Sequence, residues 1–316
     1  MDQPTGKILP SFDSTVQTVL SGIFQTPVEP AQALDSSKMT ASSTCLLAMG
    51  GIGAPALSGS LKLLIPGGTP DALASKLVNG IFDSTLELLR KGGHDASPIL
   101  PALIRGEGIH SLGQPGTRPR ELIEFKTPAG EIKALLELSP QAPDPEPPAR
   151  AGVEPSGASR EALLEFLKAA QKTMEVQFNT PIQAGSPFKK PKGPDFSFEA
   201  GSVIGVSEKH FHGYFGMFYE KATLLGLMNT LLGTGHTDLD PEIEDGASEI
   251  TNICFGIAKQ ILNERGHQIR MALPGLVCGR KLSSIQVLDR GETTVVVPLA
   301  TGHGKFWIEL AYRGPA

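Results

Sequence analysis

Asp245, Glu249 and Asn252 stand at steps of four and three in the stretch EIEDGASEITNICFGIAKQILNERG, residues 242 to 266. With Glu242, Gly256, Lys259 and Asn263 they fall along one face of a helix. A carboxylate can pair with a cation, and a carboxamide both donates and accepts, so such a row could grip a charged partner and hold a water. The same row is also what a solvated face with Glu-to-Lys pairing looks like, and the residue types alone leave both readings open. Ile250, Cys254, Ile257 and Ile261 form a second stripe, so the helix is expected to bury one face and show the other to water. Pro241 precedes the run, and Gly266 offers a left-handed stop.

Other candidate sites are weaker. His210 and His212 share a strand face but have no Cys or acidic cluster beside them to complete a metal site. Asp238 and Asp240 lack the rest of a calcium loop and read as a polar connection. Gly233-Thr234-Gly235-His236 and the MGGIGAP segment lack the Lys-Ser/Thr of a phosphate loop; the former reads as a turn. Cys45, Cys254 and Cys278 have no metal-ligand spacing and read as buried, reduced thiols. Lys189, Lys190 and Lys192 lie in a loop that suits an acidic partner or plain solvent equally.

The chain has 316 residues, enough for two domains. Its 40% hydrophobic and 19% charged residues fit a globular protein, and a net charge of -5 argues against nucleic-acid binding. No basic start with an apolar core and no long apolar run occurs, so a cytoplasmic protein without membrane contact is expected.

A Pro-rich stretch, residues 139–160, reads as an extended linker between a unit at 1–138 and another at 161–316. The two units repeat one another. Thr26-Pro27 recurs as Thr180-Pro181 and Gly59 as Gly213, at an offset of 154; Gly93-His94 recurs as Gly266-His267 and Pro101 as Pro274, at an offset of 173. The rise of 19 residues between Gly59 and Gly93 corresponds to the helix-like KATLLGLMNTLLG and the loop after it, which the first unit lacks. At offset 173, Asp245, Glu249 and Asn252 become Ala72, Lys76 and Asn79, so the first unit has lost both acidic positions. Several strand-like segments joined by short turns predict an α+β fold in each unit, an antiparallel sheet with helices packed on one face.

The spacing Asp245-x3-Glu249-x2-Asn252 with downstream Pro274 resembles the signature helix of the CheC, CheX and FliY family of chemotaxis phosphatases. The leading helix of the second unit offers Glu161-x3-Glu165-x2-Lys168, with Lys where the family's second motif has Asn, which favours a CheX-like domain, preceded here by a degenerate copy. The resemblance implies a phosphatase that hydrolyses the aspartyl phosphate of a CheY-type response regulator in two-component signalling. In that reading Glu249 and Asn252 are catalytic, with Glu249 pairing with the regulator's lysine and Asn252 holding the attacking water. Asp245, Gly256 and Lys259 face the partner, and Pro274 is structural. The protein then needs no cofactor or metal of its own, Mg2+ being carried by the regulator. CheX proteins are homodimers, which suggests that the tandem copies form an intramolecular pseudo-dimer. The alternative function is a non-catalytic response-regulator-binding or adaptor protein, with intact Glu249 and Asn252 favouring the enzyme and the eroded first copy favouring binding.

Overall fold

The computed structural model describes residues 8–33, 38–41, 43–54, 57–96, 99–112, 120–140, 158–190, 196–208, 212–286 and 292–313. Residues 141–157, most of the expected linker, lie outside this set. The first half runs α1 (Leu9–Phe24), β1 (Pro30–Ala33), β2 (Lys38–Thr40), β3 (Thr44–Ala54), β4 (Leu57–Pro66), α2 (Asp71–Lys91), β5 (Ala102–Leu112), β6 (Arg120–Thr127) and β7 (Gly130–Pro140). The second runs α3 (Ala158–Phe178), β8 (Gln183–Ala184), β9 (Phe188–Lys189), β10 (Phe198–Ser207), β11 (His212–Tyr219), α4 (Lys221–Leu232), α5 (Pro241–Glu264), β12 (Arg270–Met271), β13 (Gly275–Ile285), β14 (Thr293–Thr301) and β15 (Gly304–Arg313). Among the described residues the order is the same in both halves except for α4 and the two-residue β12: β4 turns into α2 through Gly67–Pro70 alone, and the positions matching β12, residues 97 and 98, lie outside the described set. The fold is α+β with antiparallel strand pairing throughout the described sheet.

The repeated Gly-His dipeptide is a repeated helix stop. Gly93 and Gly266 adopt φ of 87° and 100°, a region glycine enters without Cβ strain. Their N–H groups donate to Arg90 and Asn263, and those of His94 and His267 donate to Leu89 and Leu262. This is the Schellman closure that satisfies the last carbonyls of α2 and α5.

Alternation along each strand gives the sheet two apolar faces. In β4, Leu57, Leu61, Leu63 and Ile65 pack under α1 and α2, while Leu64 points the other way. In β11, Phe215, Met217 and Tyr219 meet the helices, while Tyr214 and Phe218 point away. The outward-pointing residues of both halves merge into one central core, with Met49, Leu64 and Ile104 from the first and Val203, Phe218 and Val277 from the second. The expectation of helices on one face therefore holds, and the opposite face is covered as well, by the other half of the chain. The sheet is also continuous, because β5 pairs with β13 across the halves.

This joint follows the internal repeat. In the β5–β13 register Glu107 stands opposite Arg280, its own counterpart at offset 173. At offset 154, Gly51 of β3 meets its counterpart Gly205 of β10: a Cβ on Gly205 would lie 2.8 Å from the Gly51 Cα, and one on Gly51 would lie 2.6 Å from the Gly205 nitrogen. The MGGIGAP segment, whose lack of a phosphate-loop Lys-Ser/Thr the sequence had shown, supplies part of strand β3 and a close backbone crossing. Gly205→Val should cost about 1–3 kcal/mol by overpacking against a backbone that cannot swing aside. A urea midpoint unchanged from wild type would show that the two strands separate freely.

Among the described residues no helix is long and apolar enough to cross a membrane.

Candidate functional site

Helix α5 is built to be held firmly on one side. Asp240 caps it, its carboxylate accepting from the Glu242 and Ile243 N–H groups at 3.0 and 3.1 Å, and Pro241 takes the first helical position, where no N–H is needed. The backbone bond from Ile243 leads the causes that hold the Asp240 carboxyl below its ordinary value, and His236 adds a contact at 2.5 Å. Asp240 is thus a helix cap where the sequence suggested only a polar connection. Ile243, Ala247, Ile250, Cys254, Phe255, Ala258 and Leu262 are buried. Phe255 lies 5.7 Å from Phe166 of α3, which stacks at 4.4 Å on Phe215 of β11. Ile257 and Ile261, expected on the buried stripe, are only half-buried. The core face lies one step round, on small residues such as Ala247, Thr251 and Ala258.

The opposite ridge carries the candidate residues. Asp245 and Glu249 are exposed and Asn252 is half-exposed, in line one turn apart. No side-chain hydrogen bond or ion pair engages Glu249 or Asn252 among the described residues. Partial burial, followed by the neighbouring Glu244 charge, pushes the Asp245 carboxyl up. Gly256 continues the ridge, and a Cβ there would have nothing within 4 Å. Lys259 is half-buried further along, and Pro274 is buried immediately before β13, behind the helix. The bare Gly256 makes a separable prediction: Gly256→Ala should raise stability by about 1 kcal/mol, because alanine is the better helix former and meets no obstacle. A drop in the unfolding midpoint would mean that this backbone is not free.

The remaining candidates fall away from this ridge. Glu165 is buried and bound at 2.9 Å by both Lys168 and Arg265, which makes it a packing element. Lys190 pairs at 2.5 Å with the buried Glu309, Lys189 is exposed, and Lys192 and His210 lie outside the described residues. Cys45, Cys254 and Cys278 are all buried, and burial pushes the Cys45 thiol up to about 11 and the Cys254 thiol up to about 12. In the first half, Asn79 is half-buried with its carbonyl oxygen unpartnered among the described residues, and the α2 ridge around it has Ala72 and Lys76 where the second half has carboxylates.

One residue that pattern reading passed over is Glu244. It sits in the first turn of α5, nearly fully buried, and accepts from or donates to His110 Nε2 at 2.6 Å, a residue of the other half. Nothing local in the sequence marks it, because its partner is 134 positions away.

Residues 200–299 match the family described as "Chemotaxis phosphatase CheX". The second half is CheX-like. Similar solved structures include a CheC-like superfamily protein from Shewanella sp. PV-4, 26% identical over 49% of this chain and 98% of that one, TM-score 0.45. The chemotaxis protein CheX from Vibrio vulnificus is 25% identical over 48% of this chain and 99% of its own, TM-score 0.45. CheX in a CheX–CheY–BeF3–Mg2+ complex from Borrelia burgdorferi is 18% identical over 48% and 97%, TM-score 0.40. No curated protein matches. The match covers β10 to β14 of the CheX-like half, and therefore includes the whole of α5.

Proposed function

We propose that the CheX-like half is a phosphatase acting on the aspartyl phosphate of a CheY-type receiver domain. The observation that carries this reading is the solvent-facing row of Glu249 and Asn252 on a helix whose other side is locked into the core. A receiver already holds the phosphoryl group, a magnesium ion and a lysine. What it lacks is a fixed water.

Asn252 can accept from a water with its carbonyl oxygen while its N–H donates to a phosphoryl oxygen, placing the water in line with phosphorus. The water oxygen–phosphorus bond forms as the bond from phosphorus to the aspartyl oxygen breaks, releasing the carboxylate and inorganic phosphate. Positioning supplies most of the acceleration in such a reaction. Glu249, one turn earlier, pairs with the receiver lysine and sets how deeply the ridge inserts. Asp245 and Lys259 extend the contact at either end, and the bare Gly256 lets the partner backbone approach. Magnesium belongs to the receiver in this scheme.

The two halves act in this reading as an intramolecular pseudo-dimer. Its support is the placement of Gly51 on Gly205 and Glu107 opposite Arg280, since a two-fold axis brings a residue onto its own equivalent. The first half, whose ridge has Ala72 and Lys76 at the positions of Asp245 and Glu249, serves in this reading as a scaffold.

The test is the decay of aspartyl phosphate on receiver domains at constant magnesium, with and without the protein. Acceleration on one receiver supports the phosphatase. Binding to a receiver without acceleration would replace it with the adaptor reading.

A further inference from the structure

His110, Glu244 and Cys278 converge where the two halves join. His110 and Cys278 stand directly opposite each other in the β5–β13 register, and Glu244 descends on them from the first turn of α5. Their ligating atoms all lie within 4.8 Å of one another. The Glu244 side chain is 4% exposed and Cys278 is fully buried, while His110, at 23%, leaves the group open to solvent on one side.

The internal repeat supplies a comparison within the same molecule. At offset 173 the three positions correspond to Ser283, Asp71 and Arg105. There the carboxylate is neutralised by a guanidinium, Arg105 to Asp71 at 2.8 Å, in an exposed pair. On the other side of the pseudo-axis the guanidinium position holds a thiol and the hydroxyl position holds an imidazole. A permanent cation has been exchanged for two groups that bind cations, around a carboxylate that is buried rather than exposed.

We propose that His110, Glu244 and Cys278 hold one divalent ion of the zinc class between the two halves of the chain. Imidazole, carboxylate and thiolate are the zinc ligand types, and three protein ligands with one open position is a common zinc arrangement. Zinc bonds of about 2.0–2.3 Å put tetrahedral ligand atoms about 3.3–3.8 Å apart. The His110–Glu244 hydrogen bond must therefore open, and the widest pair close, by about 1 Å each. Binding transfers the Cys278 proton to solvent as the sulfur–metal bond forms. The ion tethers the first turn of α5 to β5 and β13 together, a role independent of the proposed phosphatase.

The experiment is titration of the reduced full chain with Co2+, followed by Zn2+ competition against a chromogenic chelator. One equivalent with a thiolate-to-cobalt absorption band is expected, displaced by zinc. Cys278→Ser should remove the band. His110→Gln, at a partly exposed position, should weaken zinc at least about 100-fold, since even outer partners of metal ligands are worth about 10–100-fold. No equimolar site or no thiolate band in the wild type would overturn the proposal. So would an unchanged affinity in His110→Gln, which decides the matter even if Cys278→Ser does not fold.

Discussion

Asn252→Ala should remove the acceleration of receiver dephosphorylation by at least about 100-fold while leaving capture of the phosphorylated receiver nearly intact. The split follows from the ridge. Glu249 and Asp245 remain to make the charged contact, and what is lost is the group that both donates and accepts at the water. Asn252→Asp is a stricter version, because it keeps the size but replaces the donor N–H with an acceptor facing phosphoryl oxygens, and it should be at least as damaging. Glu249→Ala should behave differently, weakening binding first. The measurement is single-turnover decay of aspartyl phosphate together with direct binding of the receiver carrying a phosphoryl mimic. Equal loss of binding and of rate in Asn252→Ala would show that Asn252 docks rather than positions.

The second large effect lies in the central core. Lys62 is fully buried on the inner face of β4, with its ammonium 3.2 Å from Glu137 of β7, which also accepts from Ser60 at 2.8 Å. Glu137→Ala removes a carboxylate from a buried ammonium and should cost about 3–5 kcal/mol. Lys62→Met combined with Glu137→Leu should recover most of that loss, because two desolvated charges are replaced by apolar groups of similar size. Urea unfolding of the two variants side by side checks this; a Glu137→Ala loss below about 1 kcal/mol would mean that the pair is hydrated and of the ordinary surface kind. The second half has its own version, in which Glu309 of β15 takes Lys190, Ser284 and Tyr214. Burial, and then the Glu309 charge, push the Tyr214 hydroxyl well up, so it stays a donor to that carboxylate.

Much of this architecture was legible along the chain, because the signals were local. The alternation in HGYFGMFY delimits β11 and the helical period delimits α5. The Gly-His pair marks two identical helix stops whose geometry needs a positive φ at one residue. The missing α4 counterpart followed from a change of offset alone. What stayed hidden depends on partners far away in sequence. Gly51 reads only as part of a glycine-rich segment that is no phosphate loop, until Gly205 is placed on it. Glu244 lies on neither stripe of its own helix, and its burial is explained only by His110 from the other half. The hydropathy pattern puts the buried face of α5 slightly off its true place because Ala247, Thr251 and Ala258, which are buried, carry little hydropathy signal. The candidate ridge was legible for the opposite reason: the steps between Asp245, Glu249 and Asn252 are read within a single helix.

The pairing of Glu107 with Arg280 has a consequence for how this protein can assemble. In an association of two identical copies, a residue on the two-fold axis faces itself. Two first halves would bring glutamate against glutamate, and two second halves would bring arginine against arginine, each destabilising directly across a strand pair. Only the unlike combination places opposite charges there. The charges at these two positions therefore disfavour self-association of either half through this strand.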